Sequence, residues 1–181
     1  MQSQIIIQKG KYDEEDTKIF FLSTYHPYYG GSNPKFDNFS KLILDIKDKK
    51  PSAINIFFKK LNHQLDKGFP IVTIPSSNPN NINTGINKLA SLLAKQGRID
   101  ASSCLLRHIQ VPKKSKGGNR DINIDLNSIK VSNQHLIKGK TVLLLDDVTT
   151  TGNSFVACEK LLVDAGAYKV VKLALGKTAS Y

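Results

Sequence analysis

Residues Thr141 to Ser154 read TVLLLDDVTTTGNS, and no other stretch limits the fold as tightly. The continuous apolar run Val142 to Leu145 suits a strand buried on both faces. It ends in adjacent carboxylates, Asp146 and Asp147. A turn of small polar residues follows, Thr149, Thr150, Thr151, Gly152, Asn153 and Ser154, and a helical pattern starts at Phe155. Backbone N–H groups at a helix start, with the positive end of its dipole, favour an anion. The hydroxyls add donors, and glycine lets the backbone approach closely. The two acids then suit sugar hydroxyls or a hydrated divalent cation, so the stretch reads as a site for a phosphorylated sugar. The plainer alternative, a strand–turn–helix whose Asp and Thr residues only cap the helix, needs a single acceptor. It leaves the second carboxylate and the run of hydroxyls without a purpose.

The rest of the chain repeats this alternation. Strands are expected at Ile5 to Ile7 and Ile19 to Leu22, joined across Gly10 to Thr17 as a hairpin, then at Phe69 to Ile74, Ser103 to Leu106 and Val170 to Leu175. Asp37 reads as an N-cap before a helix carrying Phe39, Leu42, Ile43 and Ile46, and Pro51 opens a second helix with Ile54, Phe57, Phe58, Leu61 and Leu65, ended by Gly68. Ile86, Leu89, Ala90 and Leu93 mark a third, and Phe155 to Ala165 a fourth with Gly166 as its cap. The expected fold is α/β, a single domain over 1–181, with a mainly parallel central sheet flanked by helices on both faces and a small N-terminal hairpin or hood over 1–35. A chain of 181 residues, 40% hydrophobic, is large enough for one continuous core. It has no apolar run of membrane-spanning length, no signal-peptide pattern and no metal spacing among Cys104, Cys158, His26, His63, His108 and His135. A reduced, cytoplasmic protein is the expectation.

The formal net charge of +11 draws anions, either nucleic acid or a small polyanionic substrate. Most lysines are scattered. The exception is the stretch from Arg107 to Arg120, where Arg107, Lys113, Lys114, Lys116 and Arg120 surround a glycine pair. Its charges suit a substrate anion, a solvated loop or a nucleic-acid contact. Ser76 and Ser77 follow Ile74-Pro75 at another strand end, where a plain turn and an anion-binding turn are both consistent with the residue types. Tyr25, Tyr28 and Tyr29 suit either stacking on a base or packing at the sheet edge.

The Val142 to Ser154 pattern resembles the phosphoribosyl-pyrophosphate (PRPP) motif of type I phosphoribosyltransferases. The Tyr25 to Tyr29 region, Phe39-Ser40-Lys41 to Lys47, Val72 to Ser77, Arg107, Gln110, Asn119-Arg120 and Gly166-Ala167 are similar to the ComF-like branch, proteins linked to bacterial DNA uptake. The resemblance implies that Asp146 and Asp147 contact the ribose hydroxyls and Mg²⁺, directly or through water. It assigns Thr149 to Ser154 to the 5′-phosphate, and Ser76, Ser77, Arg107, Lys113, Lys114, Lys116 and Arg120 to pyrophosphate. Asp146, Asp147 and Thr150 would stand at the reacting centre, and the assembly is compatible with a homodimer. Two features depart from the family: there is no N-terminal cysteine-rich zinc segment, and Asn78 to Thr84 is neutral where a basic, glycine-bearing stretch is usual. Thr150 stands where purine-specific relatives carry an Asp, so no general base is evident and the nitrogen acceptor is undefined. A PRPP-sensing module without turnover and a nucleic-acid binder remain as alternatives.

Overall fold

The computed structural model describes residues 18–112 and 121–180. Five strands form a wholly parallel sheet in the order β1–β7–β6–β2–β3. They are β1 (Ile19–Tyr25), β2 (Pro70–Thr73), β3 (Ile99–Asp100), β6 (Thr141–Thr149) and β7 (Lys169–Thr178). Two short strands, β4 (Leu105–Arg107) and β5 (Ile129–Val131), pair antiparallel in a separate ribbon. The helices are α1 (Asn38–Lys47), α2 (Pro51–Asn62), α3 (Gly85–Ala94), α4 (Ile122–Ser128) and α5 (Asn153–Asp164). The expected α/β architecture with helices on both faces is what the chain forms.

The central strand is apolar without interruption because successive side chains enter two different cores. Leu143 and Leu145 point into one with Ile71, Phe57, Leu61, Leu89 and Leu93, built from α1, α2 and α3. Val142 and Leu144 point into the other with Val72, Phe155, Cys158 and Leu162, built from α5 and the β4–β5 ribbon. Phe57 and Phe155 are each 1% exposed, so truncating either to Ala would cost about 3–5 kcal/mol.

Local signals start and stop the helices. The Asp37 carboxylate accepts from Ser40 N at 2.7 Å, and Pro51 occupies the first turn of α2. Gly85 begins α3 against the backbone of α1, where a Cβ would lie 1.9 Å from the Ile46 carbonyl oxygen. After α5, the N–H of Gly166 bonds Val163 O and that of Ala167 bonds Leu162 O, each at 2.9 Å, closing the helix as a Schellman turn.

Several expectations shift. The strand at Ile19 belongs to the main sheet, parallel to β7. Its expected partner Ile5 to Ile7 lies outside the described residues, as do Lys113, Lys114, Lys116 and Arg120. Helix α2 ends at Asn62, and Gly68, at φ +84°, belongs to the turn entering β2. The strand expected at Ser103 to Leu106 is β4, outside the main sheet. β6 runs on to Thr149, so the two acids are inside its last turn of ladder rather than beyond it.

Topology then decides where a ligand can sit. From β2 the chain crosses through α3 to β3, toward one edge of the sheet and over the first core. From β6 it crosses through α5 to β7, toward the other edge and over the second core. The two connections diverge between adjacent strands, which leaves a crevice at the carboxyl ends of β2 and β6.

Candidate functional site

One wall of that crevice is the end of β6. Ladder pairing with β7 holds Asp146 opposite Ala174 and Val148 opposite Gly176, so the strand is held by backbone along this edge at the acids. Asp146 Oδ1 accepts the N–H of Asp147 at 2.8 Å. Asp147 keeps 28% of its side chain exposed and pairs with Lys47 Nζ at 3.4 Å. That lysine, from the last turn of α1, also lies 5.7 Å from the centre of the Tyr25 ring. Burial pulls the Lys47 pKa down, but Asp147, Tyr25 and Asp146 outweigh it and hold it above its ordinary value. Burial likewise raises the Tyr25 phenol, against the opposing pull of Lys47.

The turn that follows is tight for a visible reason. Gly152 is the N-cap of α5 with φ +85°, and a Cβ there would meet Ile19 Cδ1 at 2.8 Å. It makes no side-chain cap bond, and its carbonyl accepts from Val156 N at 3.0 Å. Thr150 and Thr151 are exposed, with Thr150 Oγ1 2.8 Å from Thr178 Oγ1 on β7. Thr149 is buried as the last strand residue, and Asn153 and Ser154 form the first turn of the helix.

The facing wall, after β2, carries Ser76 and Ser77. Ile74 N bonds Leu145 O at 3.1 Å, which brings this loop level with the acids. Both serines are braced through their carbonyls: Arg107 Nε donates to Ser76 O at 2.6 Å, and Val111 N to Ser77 O at 3.0 Å. Arg107 is otherwise consumed inside the protein. Its Nη2 pairs with Asp125 Oδ1 at 2.9 Å, with side chains 4% and 0% exposed, and its Nη1 donates to Ser128 Oγ at 2.5 Å. The structure therefore places Arg107 as a strut behind the loop, with its charge met by Asp125.

Among the expected residues, Asp146, Asp147, Thr150, Thr151, Gly152, Ser76 and Ser77 flank one crevice. Lys47 and Tyr25 join them, and sequence reading passed over the lysine. Its only signal is that a paired acid at a strand end calls for a nearby cation. Among the described residues no three His, Cys, Asp or Glu side chains could hold a metal. At most two protein carboxylates are offered, which fits Mg²⁺, an ion that keeps waters and substrate oxygens in its shell, and does not fit an all-protein cage. A cavity of about 680 Å³ lies beyond the Ser76 loop, and none of Asp146 to Ser154 lines it. No described helix is long and apolar enough to cross a membrane.

No family model matches the chain, and no curated protein matches it either. Solved structures similar in fold include two phosphoribosyltransferases. A hypoxanthine phosphoribosyltransferase from Staphylococcus aureus is 14% identical over 76% of this chain and 75% of that chain, with a TM-score of 0.39. An adenine phosphoribosyltransferase from Leishmania tarentolae is 14% identical over 90% of this chain and 84% of that chain, with a TM-score of 0.45. At that distance neither fixes a substrate or a reaction for this chain.

Proposed function

We propose that the chain is a Mg²⁺-dependent phosphoribosyltransferase of the ComF-like branch, binding PRPP across the crevice between β6 and β2. The observation that carries this reading is the pair Asp146 and Asp147 followed by a glycine-capped helix start, set at the point where the connections diverge. The N–H groups of Thr151 to Ser154 and the Thr150 and Thr151 hydroxyls hold the 5′-phosphate. Asp146 and Asp147 accept from the ribose 2′- and 3′-hydroxyls, and they are the carboxylates that would hold Mg²⁺. When present, that ion neutralises charge on the pyrophosphate.

Breaking the C1–O bond to pyrophosphate precedes most of the bonding to the acceptor nitrogen, so charge of oxocarbenium type develops on the ribose. Fixed carboxylates beside the sugar stabilise it, and the Ser76–Ser77 loop receives the departing pyrophosphate. Lys113, Lys114, Lys116 and Arg120 would add charge to the same leaving group. The acceptor loses its proton to solvent or to pyrophosphate, since among the described residues no side chain is evident as a base. A reduced, cytoplasmic setting belongs to the same reading and agrees with the burial of Cys104 and Cys158.

Calorimetry of PRPP with Mg²⁺ tests it. Wild type should bind, and Asp146→Asn and Asp147→Asn should each weaken binding at least about tenfold, about 1.4 kcal/mol, while lowering folding stability by no more than about 1 kcal/mol. Pyrophosphate release should appear with one member of a panel of nitrogenous bases. Binding without release across the panel would favour a PRPP sensor. DNA affinity that falls steeply with salt and survives Asp147→Ala, with no PRPP binding, would replace the reading altogether.

A further inference from the structure

The 680 Å³ cavity on the outer side of the Ser76 loop has the size and lining of a small-molecule site in its own right. We propose that it binds a nucleotide-sized anion with an apolar or aromatic body, apart from the acids at Asp146 and Asp147, though it shares Ser76 with the proposed pyrophosphate loop. Ile54, Leu92, Leu105 and Leu106 make its apolar wall, and Pro79 and Ile82 stand over its mouth. Ile82 is 74% exposed, an apolar side chain with nothing of the described chain to cover it.

The charge of the lining has one sign. Lys49, Lys88 and Lys95 border the cavity, the last two on the same stripe of α3 as Ser91 and Leu92, and no carboxylate lines it among the described residues. Arg107 also reaches the wall, but Asp125 answers its charge. Asp100, behind Ser91, is held by the hydroxyls of Ser91 and Ser102 at 2.6 and 2.7 Å. Three cations around an apolar slot favour an anion that carries its own apolar body. The Asn78, Asn81 and Asn83 amides supply donors and acceptors suited to a heterocycle's edge.

A second, independent observation concerns Lys49. It follows α1 in the left-handed region, φ +62°, at the position after a helix where glycine is favoured. A lysine there strains the backbone, yet its Nζ reaches over to Asn81 Oδ1 at 3.4 Å on the cavity rim. A side chain kept where the backbone prefers none is accounted for if the cation serves a ligand.

The probe is trinitrophenyl-AMP, titrated by fluorescence against the full chain. The titration is made in Asp147→Asn, so that the proposed ribose site is disabled. Saturable binding at micromolar probe, weakened about tenfold or more in Lys88→Glu/Lys95→Glu, is the expected result. Lys49→Gly should raise the unfolding midpoint while weakening the probe, a pairing that a misfolded variant cannot produce. Absence of saturable binding, or equal binding in the lysine variants, overturns the proposal. So does a titration seen in wild type but lost in Asp147→Asn, which assigns the probe to the crevice. Because PRPP calorimetry is a separate readout, failure here leaves the phosphoribosyl reading standing, and the reverse is equally true.

Discussion

Helices α3 and α5 begin at equivalent places, each after one of two adjacent parallel strands, yet their first turns are built oppositely. At α3 the chain satisfies itself: Asn87 N donates to Thr84 Oγ1 at 3.2 Å, and Thr84 N to Asn87 Oδ1 at 3.3 Å. Asn87 Nδ2 continues to Thr73 Oγ1 at 2.9 Å, sewing the helix start to β2. At α5 the cap is Gly152, with no side chain to offer. The first arrangement serves stability. The second has no side-chain cap at Gly152, and in the proposed reading the phosphate of a ligand is held there, with the sugar at the acids of β6.

The largest effect expected from pressing on this contrast lies behind the β2 loop. Arg107→Ala removes the ion-pair partner of the fully buried Asp125 and should cost about 3–5 kcal/mol in urea unfolding. A loss under about 1 kcal/mol would show that the loop does not depend on its strut. Gly152→Ala comes next, forcing a side chain into φ +85° and onto Ile19, for about 1–3 kcal/mol and a loss of PRPP affinity. Thr84→Ala should cost about 1 kcal/mol in the same unfolding assay and leave PRPP affinity alone. If it weakened PRPP as much as Gly152→Ala does, the two helix starts would not be the opposites described.

The smallest effect belongs to Lys47. Its folded pKa lies above the ordinary 10.5, so the native state holds the proton more tightly than the unfolded chain does. The resulting stabilisation is complete below 10.5 and is lost as pH rises through the folded value. Since 39% of the side chain meets solvent, Lys47→Met should lower stability by only about 0.2–1 kcal/mol near neutrality. Denaturant midpoints of variant and wild type should converge at strongly alkaline pH. A difference that persists there would point to lost packing in place of lost charge.

Legibility in the sequence followed apolar periodicity. Helices α1, α2, α3 and α5 each bury a stripe, and Asp37 and Pro51 mark their starts as local chemistry predicts. Helix α4, INIDLNS, is seven residues with no stripe, and Arg107 holds it through the buried ion pair to Asp125 and a hydrogen bond to Ser128, a partner that no local window contains. The strand β5 is three residues, too short for alternation to register, and β4, expected within a residue or two, gave no sign that it would leave the main sheet to pair with it. The acid pair and the glycine turn were visible because they are contiguous. Lys47 was not, for it is one cation among 26 and meets Asp147 only after the sheet is assembled. Arg107 was visible as a charge, but its burial depends on α4.

The bonds from Arg107 and Val111 to the Ser76 and Ser77 carbonyls lace the β2 loop to the approach of the lysine-rich stretch. Tension applied to either strip is felt by its neighbour, as with two ropes knotted at intervals. A shift of the Ser76–Ser77 loop would therefore be felt at Arg107 and Val111, and a spectroscopic label on solvent-facing Ile109, between those two anchors, would register it.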